Sequence, residues 1–152
     1  MPKITPFLWF KDQAEEALNF YVSLFKNSRM LSVTPGPNGK AMVATAVLDG
    51  QQVTALNGGP NFNFTEAFSF YVDCEDQAEV DELWGKLTAH GGEEGRCGWL
   101  KDKYGLSWQI IPKALPQLMS DPDRAKAQRV MEAMLKMDKI EVSGLQQAYD
   151  QA

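Results

Sequence analysis

The sequence predicts an α+β fold of two βαβββ modules in tandem, followed by helices at the C-terminal end. Three observations lead there. An aromatic, strand-like segment running into Asp-Gln-Ala-Glu opens at Phe7 and returns at Phe68; the aspartates of the two tetrapeptides, Asp12 and Asp76, lie 64 residues apart. That spacing exceeds the roughly 20 to 50 residues of a stacking repeat and fits a duplicated half-domain. Each half later carries Asp and Gly ahead of a short apolar strand: Asp49-Gly50 before Val53 to Leu56, and Asp102 to Gly105 before Trp108 to Ile111. After each aromatic segment the hydrophobic period changes from that of a strand to that of a helix.

Ile4 to Phe10 alternates, with Thr5, Phe7 and Trp9 on one face and Pro6, Leu8 and Phe10 on the other. A strand flanked by one amphipathic helix buries one face against it, so Leu8 and Phe10 are expected to meet the helix and Trp9 to face away. From Gln13 to Phe25, Ala14, Ala17, Leu18, Tyr21 and Phe25 share a helical stripe, with Asp12 placed as N-cap and Glu15 as its capping-box partner. Met30 to Thr34 and Ala41 to Leu48 read as strands about a Pro- and Gly-rich turn, and Asp49-Gly50 makes a tight hairpin into Gln52 to Leu56. Asn57 to Asn63 is the linker. Ala67 to Val72 then repeats the strand, and Asp76 to Leu87 repeats the helix through Ala78, Val80, Leu83, Trp84 and Leu87, stopped by Gly91-Gly92. Two shorter strands follow, around Cys97 to Lys101 and from Leu106 to Ile111, with only a stub at Glu93-Glu94.

Beyond Pro112 the repeat ends. Asp121-Pro122-Asp123 starts a helix whose apolar side is Val130, Met131, Met134, Leu135 and Met137, and a short helix follows near Leu145 to Tyr149. This pair reads as a hairpin covering the sheet, or alternatively as a dimer contact or a flap over a pocket. The whole is expected to form a single domain over 1–152, with module one at about 1–60, module two at about 64–112 and the helical extension at about 113–152.

Composition narrows the function. A net charge of −5 opposes a nucleic-acid groove, which needs clustered Lys and Arg. No apolar run approaches the roughly 18 residues of a membrane span, and the first residues lack the apolar stretch of a signal peptide. With only two cysteines, Cys74 and Cys97, a cytoplasmic protein with reduced thiols is expected.

Several segments together resemble one family. Ile4 to Phe10, Ala14 to Tyr21, Leu48 to Gln51, Ala55 to Pro60 and Cys97 to Gln109 are similar to the PhnB-like branch of the vicinal oxygen chelate superfamily, often labelled demethylubiquinone methyltransferase-like. That superfamily includes glyoxalase I, extradiol dioxygenases and fosfomycin- and bleomycin-resistance proteins. The resemblance implies the glyoxalase fold, in which the modules form a U-shaped half-barrel sheet with a metal on its concave side. It also implies His or Glu ligands on the first and last strand of each module. Here the first-strand positions fall at Thr5 and Ala67, and the last-strand positions at Gln109 and near Thr54 or Asn57. One candidate donor in four does not hold a divalent ion, so no metal and no other cofactor is expected.

No catalytic residue is expected either. The one histidine, His90, stands where the second helix ends and suits that helix's C-terminal dipole. Without a second histidine there is no Ser-His-Asp or Cys-His arrangement. Cys97 follows Arg96, which lowers a thiol pKa where it lies close; an inert strand residue and a reactive thiol both remain open. Methyl transfer is rejected on motif grounds, because no Gly-rich turn links a strand to a helix for S-adenosylmethionine. What remains is a concave cavity lined by Thr5, Phe7, Trp9, Ser69, Tyr71, Ser107 and Gln109, with Asn57, Cys97 and Trp99 nearby. Aromatic walls with a few amide and hydroxyl groups suit a small hydrophobic or aromatic molecule, with Trp9 as the indole contact. A metal-free binding protein, homodimeric, is the primary expectation. A lyase, isomerase or dioxygenase with atypical metal ligands is the alternative.

Overall fold

In the computed structural model, which describes residues 3–39 and 41–151, each half of the chain builds a mixed four-stranded sheet with one helix on one face. The chain divides into two compact units, Met1–Phe64 and Thr65–Ala152.

The first unit runs β1 (Phe7–Phe10), α1 (Ala14–Leu24), β2 (Arg29–Pro35), β3 (Ala41–Leu48) and β4 (Gln51–Asn57), in spatial order β1-β4-β3-β2. Strands β1 and β4 are parallel, with Phe7 opposite Thr54 and Phe10 opposite Asn57; the other pairs are antiparallel. The predicted parity holds. Leu8 and Phe10 are 3% exposed and share the core with Ala14, Ala17, Leu18 and Tyr21 of α1, whereas Phe7 is 61% exposed. Asp49 and Gly50, both at positive φ, make the expected two-residue hairpin between β3 and β4.

Two expectations fail here. The strand begins at Phe7 rather than Ile4, although the Pro6 carbonyl still accepts the Thr54 N–H at 3.0 Å. Asp12 is not the N-cap of α1. Gln13 occupies that position without a side-chain bond, and the Ala14 N–H instead donates to Asn57 Oδ1 at 2.8 Å.

The second unit repeats the pattern with β5 (Ser69–Cys74), α2 (Gln77–Thr88), β6 (Glu93–Glu94), β7 (Trp99–Lys101) and β8 (Ser107–Pro112), in the order β5-β8-β7-β6. Its helix does carry a local cap: Asp76 accepts the Glu79 N–H, and Glu79 accepts the Glu75 N–H. Val80, Leu83, Trp84 and Leu87 bury against this sheet as expected, but Ala78 is exposed. Ala67 lies in a turn rather than a strand, its N–H held by Thr65 Oγ1, so β5 starts two residues later. Cys97 is likewise no strand residue; it sits at φ 58° in the turn before β7. The Asp102 turn differs from the Asp49 hairpin. Asp102 is buried, and its carboxylate accepts the Tyr104 and Leu106 N–H groups and the Trp108 indole.

Three helices complete this unit: α3 (Ala114–Met119), α4 (Arg124–Met134) and α5 (Val142–Asp150). The first is not among the expected elements; Pro116 stands in its first turn, where proline is tolerated. Residues alternate along β8: Trp108 and Ile110 join the α2 core, whereas Ile111 points the other way into a cluster with Leu115, Val130, Ile140 and Leu145. The helices therefore cover part of the second sheet's far face. Met131 and Leu135, expected on the apolar side of α4, face outward. Gln77 latches the extension, donating to the Ile140 carbonyl at 3.0 Å and accepting the Val142 N–H at 2.7 Å, beside a Lys139–Asp81 ion pair. No described helix is long and apolar enough to cross a membrane.

Candidate functional site

The face of the second sheet away from α2 is ordered in rows by strand register. Tyr71 pairs with Gln109 and Gln109 with Trp99, which sets an aromatic and amide row across β5, β8 and β7. Ser69 pairs with Ser107, Ser107 with Lys101 and Lys101 with Glu93, which sets a polar row beside it. Alternation in a strand puts each row's side chains on one face.

The aromatic row opens onto a chamber of about 520 Å³ in which four predicted site residues meet: Tyr71, Cys97, Trp99 and Gln109. Its other wall comes from Leu115, Met119 and Met134, so the helical extension lines the chamber. None of the lining residues carries a carboxylate, ammonium or guanidinium group. Tyr71, 53% exposed, has its phenol pushed above the ordinary tyrosine range, first by partial burial and then by the charges of Asp73 and Cys74; it is a neutral hydrogen-bonding group. Gln109 donates through Nε2 to Ser69 Oγ at 3.0 Å, which fixes the amide and turns it along the sheet. Cys97 is held by backbone bonds, its N–H donating to the Met137 carbonyl and that of Gly98 to the Asp138 carbonyl. Both thiols of this unit are free, and burial pushes that of Cys74 up to about 12.

The predicted residues Thr5, Phe7, Trp9 and Asn57 belong to the first unit. Trp9 donates through its indole N–H to the Gly59 carbonyl at 2.9 Å and meets Phe62 edge-on at 4.9 Å. A Cβ on Gly58 would fall 2.3 Å from that indole, so only glycine fits beneath the ring. Thr5 is half-buried and Phe7 exposed on the same face. Asn57 is structural: besides capping α1 it donates to the Ala41 carbonyl at 2.9 Å.

Register also settles which positions correspond. Phe7 opposite Thr54 matches Tyr71, 64 residues on, opposite Gln109, so Thr54 rather than Asn57 is the counterpart of Gln109. The same offset makes Ser69, not Ala67, the counterpart of Thr5. The metal-ligand positions of the resemblance thus hold Thr5, Thr54, Ser69 and Gln109. Thr54 shares a hydrogen bond with Thr45 at 3.2 Å, and Ser69 with Gln109. Neutral hydroxyls and one committed amide do not suit a divalent transition metal. Among the described residues, no three His, Cys, Asp or Glu side chains cluster to hold one.

Sequence reasoning missed Leu115, Met119 and Met134. The methionines were a visible signal, but the short helix that carries two of these three is not among the expected elements.

The family described as 3-demethylubiquinone-9 3-methyltransferase matches residues 2–111. Among solved structures, the PhnB protein of Bacillus cereus is 38% identical, with a TM-score of 0.68 over 73% of this chain and 99% of that one. A Pseudomonas aeruginosa protein is 18% identical, with a TM-score of 0.62 over 74% of this chain and 98% of its own. The fosfomycin resistance protein FosX of Listeria monocytogenes is 16% identical, with a TM-score of 0.52 over 71% and 91%. These last two share the fold. No curated protein matches the chain.

Proposed function

Because the chain belongs to the PhnB-like family described as 3-demethylubiquinone-9 3-methyltransferase, within the vicinal oxygen chelate superfamily, we propose that it is a metal-free binding protein for a small, neutral, hydrophobic or aromatic molecule. The chamber walled by Tyr71, Trp99, Gln109 and the methionines of the extension carries this reading. Its size suits a compact organic molecule. An uncharged lining favours a neutral one, since nothing there offsets the desolvation of a charge. Methionine side chains adapt to irregular shapes. We take the protein to be cytoplasmic, in keeping with its two free thiols.

Methyl transfer does not fit the chain's own residues. The turns from β1 to α1 and from β5 to α2 contain no glycine, and neither sheet is the doubly wound parallel kind that holds S-adenosylmethionine on such a turn.

Titration with 1-naphthol, followed by amide chemical shifts, tests the reading. Saturable shifts at Tyr71, Trp99 and Gln109 are expected, and Tyr71→Ala should weaken binding by about 1 to 3 kcal/mol, the scale of a lost aromatic contact. Absence of saturable shifts at the chamber, or a requirement for added divalent metal, would overturn it in favour of the metal-dependent alternative.

A further inference from the structure

The polar row on the same sheet face floors a second cavity, of about 300 Å³, lined by Glu66, Glu93, Trp99, Lys101 and Ser107 among others. Ser107 is 0% exposed, and its Oγ is a buried side-chain atom without a hydrogen-bond partner among the described residues. Buried hydroxyls are ordinarily paired, so an orphaned one at a cavity floor points to a missing partner. The rim is acidic. Lys101 is engaged by Glu66 at 2.7 Å, Arg96 donates to the Leu135 carbonyl at 3.4 Å and Glu94 accepts from the Trp84 indole, while Glu93, directly opposite Lys101, adds to the field on that ammonium but makes neither an ion pair nor a hydrogen bond among the described residues. The uncharged wall is Gly95 and the Trp99 indole with Leu100.

We propose that Glu93, Trp99 and Ser107 form a second binding site, for a small organic ammonium ion. The ammonium group would sit against the Glu93 carboxylate and its apolar body against Trp99. The Ser107 hydroxyl accepts one N–H at the floor. Indole faces favour cations, which reinforces the selection. This site is independent of the neutral chamber and shares only Trp99 with it.

The test is a titration with cyclohexylammonium, using cyclohexanol and cyclohexanecarboxylate as neutral and anionic counterparts, read by amide shifts. The ammonium should move residues 93–101 and Ser107 saturably and bind at least about tenfold more tightly than the alcohol. Glu93→Gln and Ser107→Ala should each weaken it at least about threefold without lowering the melting temperature. Equal binding of all three probes, no saturable shifts, or unchanged affinity in Ser107→Ala, as a bound water satisfying the hydroxyl would give, overturns the proposal.

Discussion

Single side chains decide how far the two modules have diverged. Asn57 accepts the Ala14 N–H and donates to the Ala41 carbonyl, so it ties the start of α1 to the ends of β3 and β4. Asn57→Ala should cost about 1 to 3 kcal/mol in urea unfolding, since both backbone groups lose their partner. Asp12→Ala, at an exposed side chain that caps nothing, should cost less than about 0.5 kcal/mol. Cys74 gives a pH signature. Its thiol titrates near 9.0 when free of the fold and is pushed up to about 12 within it, chiefly by burial. Between those values the folded chain keeps a proton that the unfolded chain releases. This part of the stability is therefore complete below about pH 9 and is lost as pH rises toward 12. Urea midpoints at pH 8 and about pH 10.5 should fall further apart in the wild type than in Cys74→Ala. A thiol reagent at pH 8 should modify only Cys97 until the protein is denatured.

At the scale of elements, the sheets and their two covering helices were legible because strand and helix periods differ and each is repeated. Leu8 with Phe10, and Trp108 with Ile110, announce their buried faces by alternation alone. One misreading shows a long-range partner overriding a local signal. Asp12 has the right residue type for a cap, yet a distant asparagine takes the role. Pro116 stands in the first turn of its short helix, where a missing backbone N–H costs no helical bond. The candidate site was legible on β5, β7 and β8, where parity and register suffice. The wall supplied by the extension was one of three readings left open for those helices, because it depends on how helices fold back onto a sheet. That wall hangs on the Gln77 latch. Gln77→Ala should leave the α2 core intact while hydrogen exchange across residues 124–150 accelerates by roughly tenfold to a hundredfold, the effect of losing about 1 to 3 kcal/mol of local stability. Uniform acceleration through α2 and β8 as well would show that the extension is no separate cooperative segment.

For the whole molecule, two expectations follow from chemistry at its surfaces and ligand positions. The proposed metal-free state predicts less than about 0.1 equivalent of Zn, Ni, Mn or Fe by elemental analysis of untagged protein, in line with the neutral donors at Thr5, Thr54, Ser69 and Gln109. Gln109→Ala should not change that content. Strand β2 is an exposed edge carrying Leu31 and Val33, and such edges are commonly covered by a partner. A homodimer is the expected state, and light scattering that gives 17.0 kDa at high micromolar concentration would count against it. The caps carry a consequence for the order of folding. Helix α2 holds its own start signal in Asp76 and Glu79, whereas α1 waits for a residue 43 positions downstream that is in place only once β4 has joined the sheet. Closing that loop costs chain entropy before any bond rewards it. Helix α2 should therefore flicker into existence in the unfolded chain, and α1 should be completed late, so that substitutions at Asp76 slow folding and substitutions at Asn57 speed unfolding. Two copies of one ancestral pattern would then assemble on different schedules.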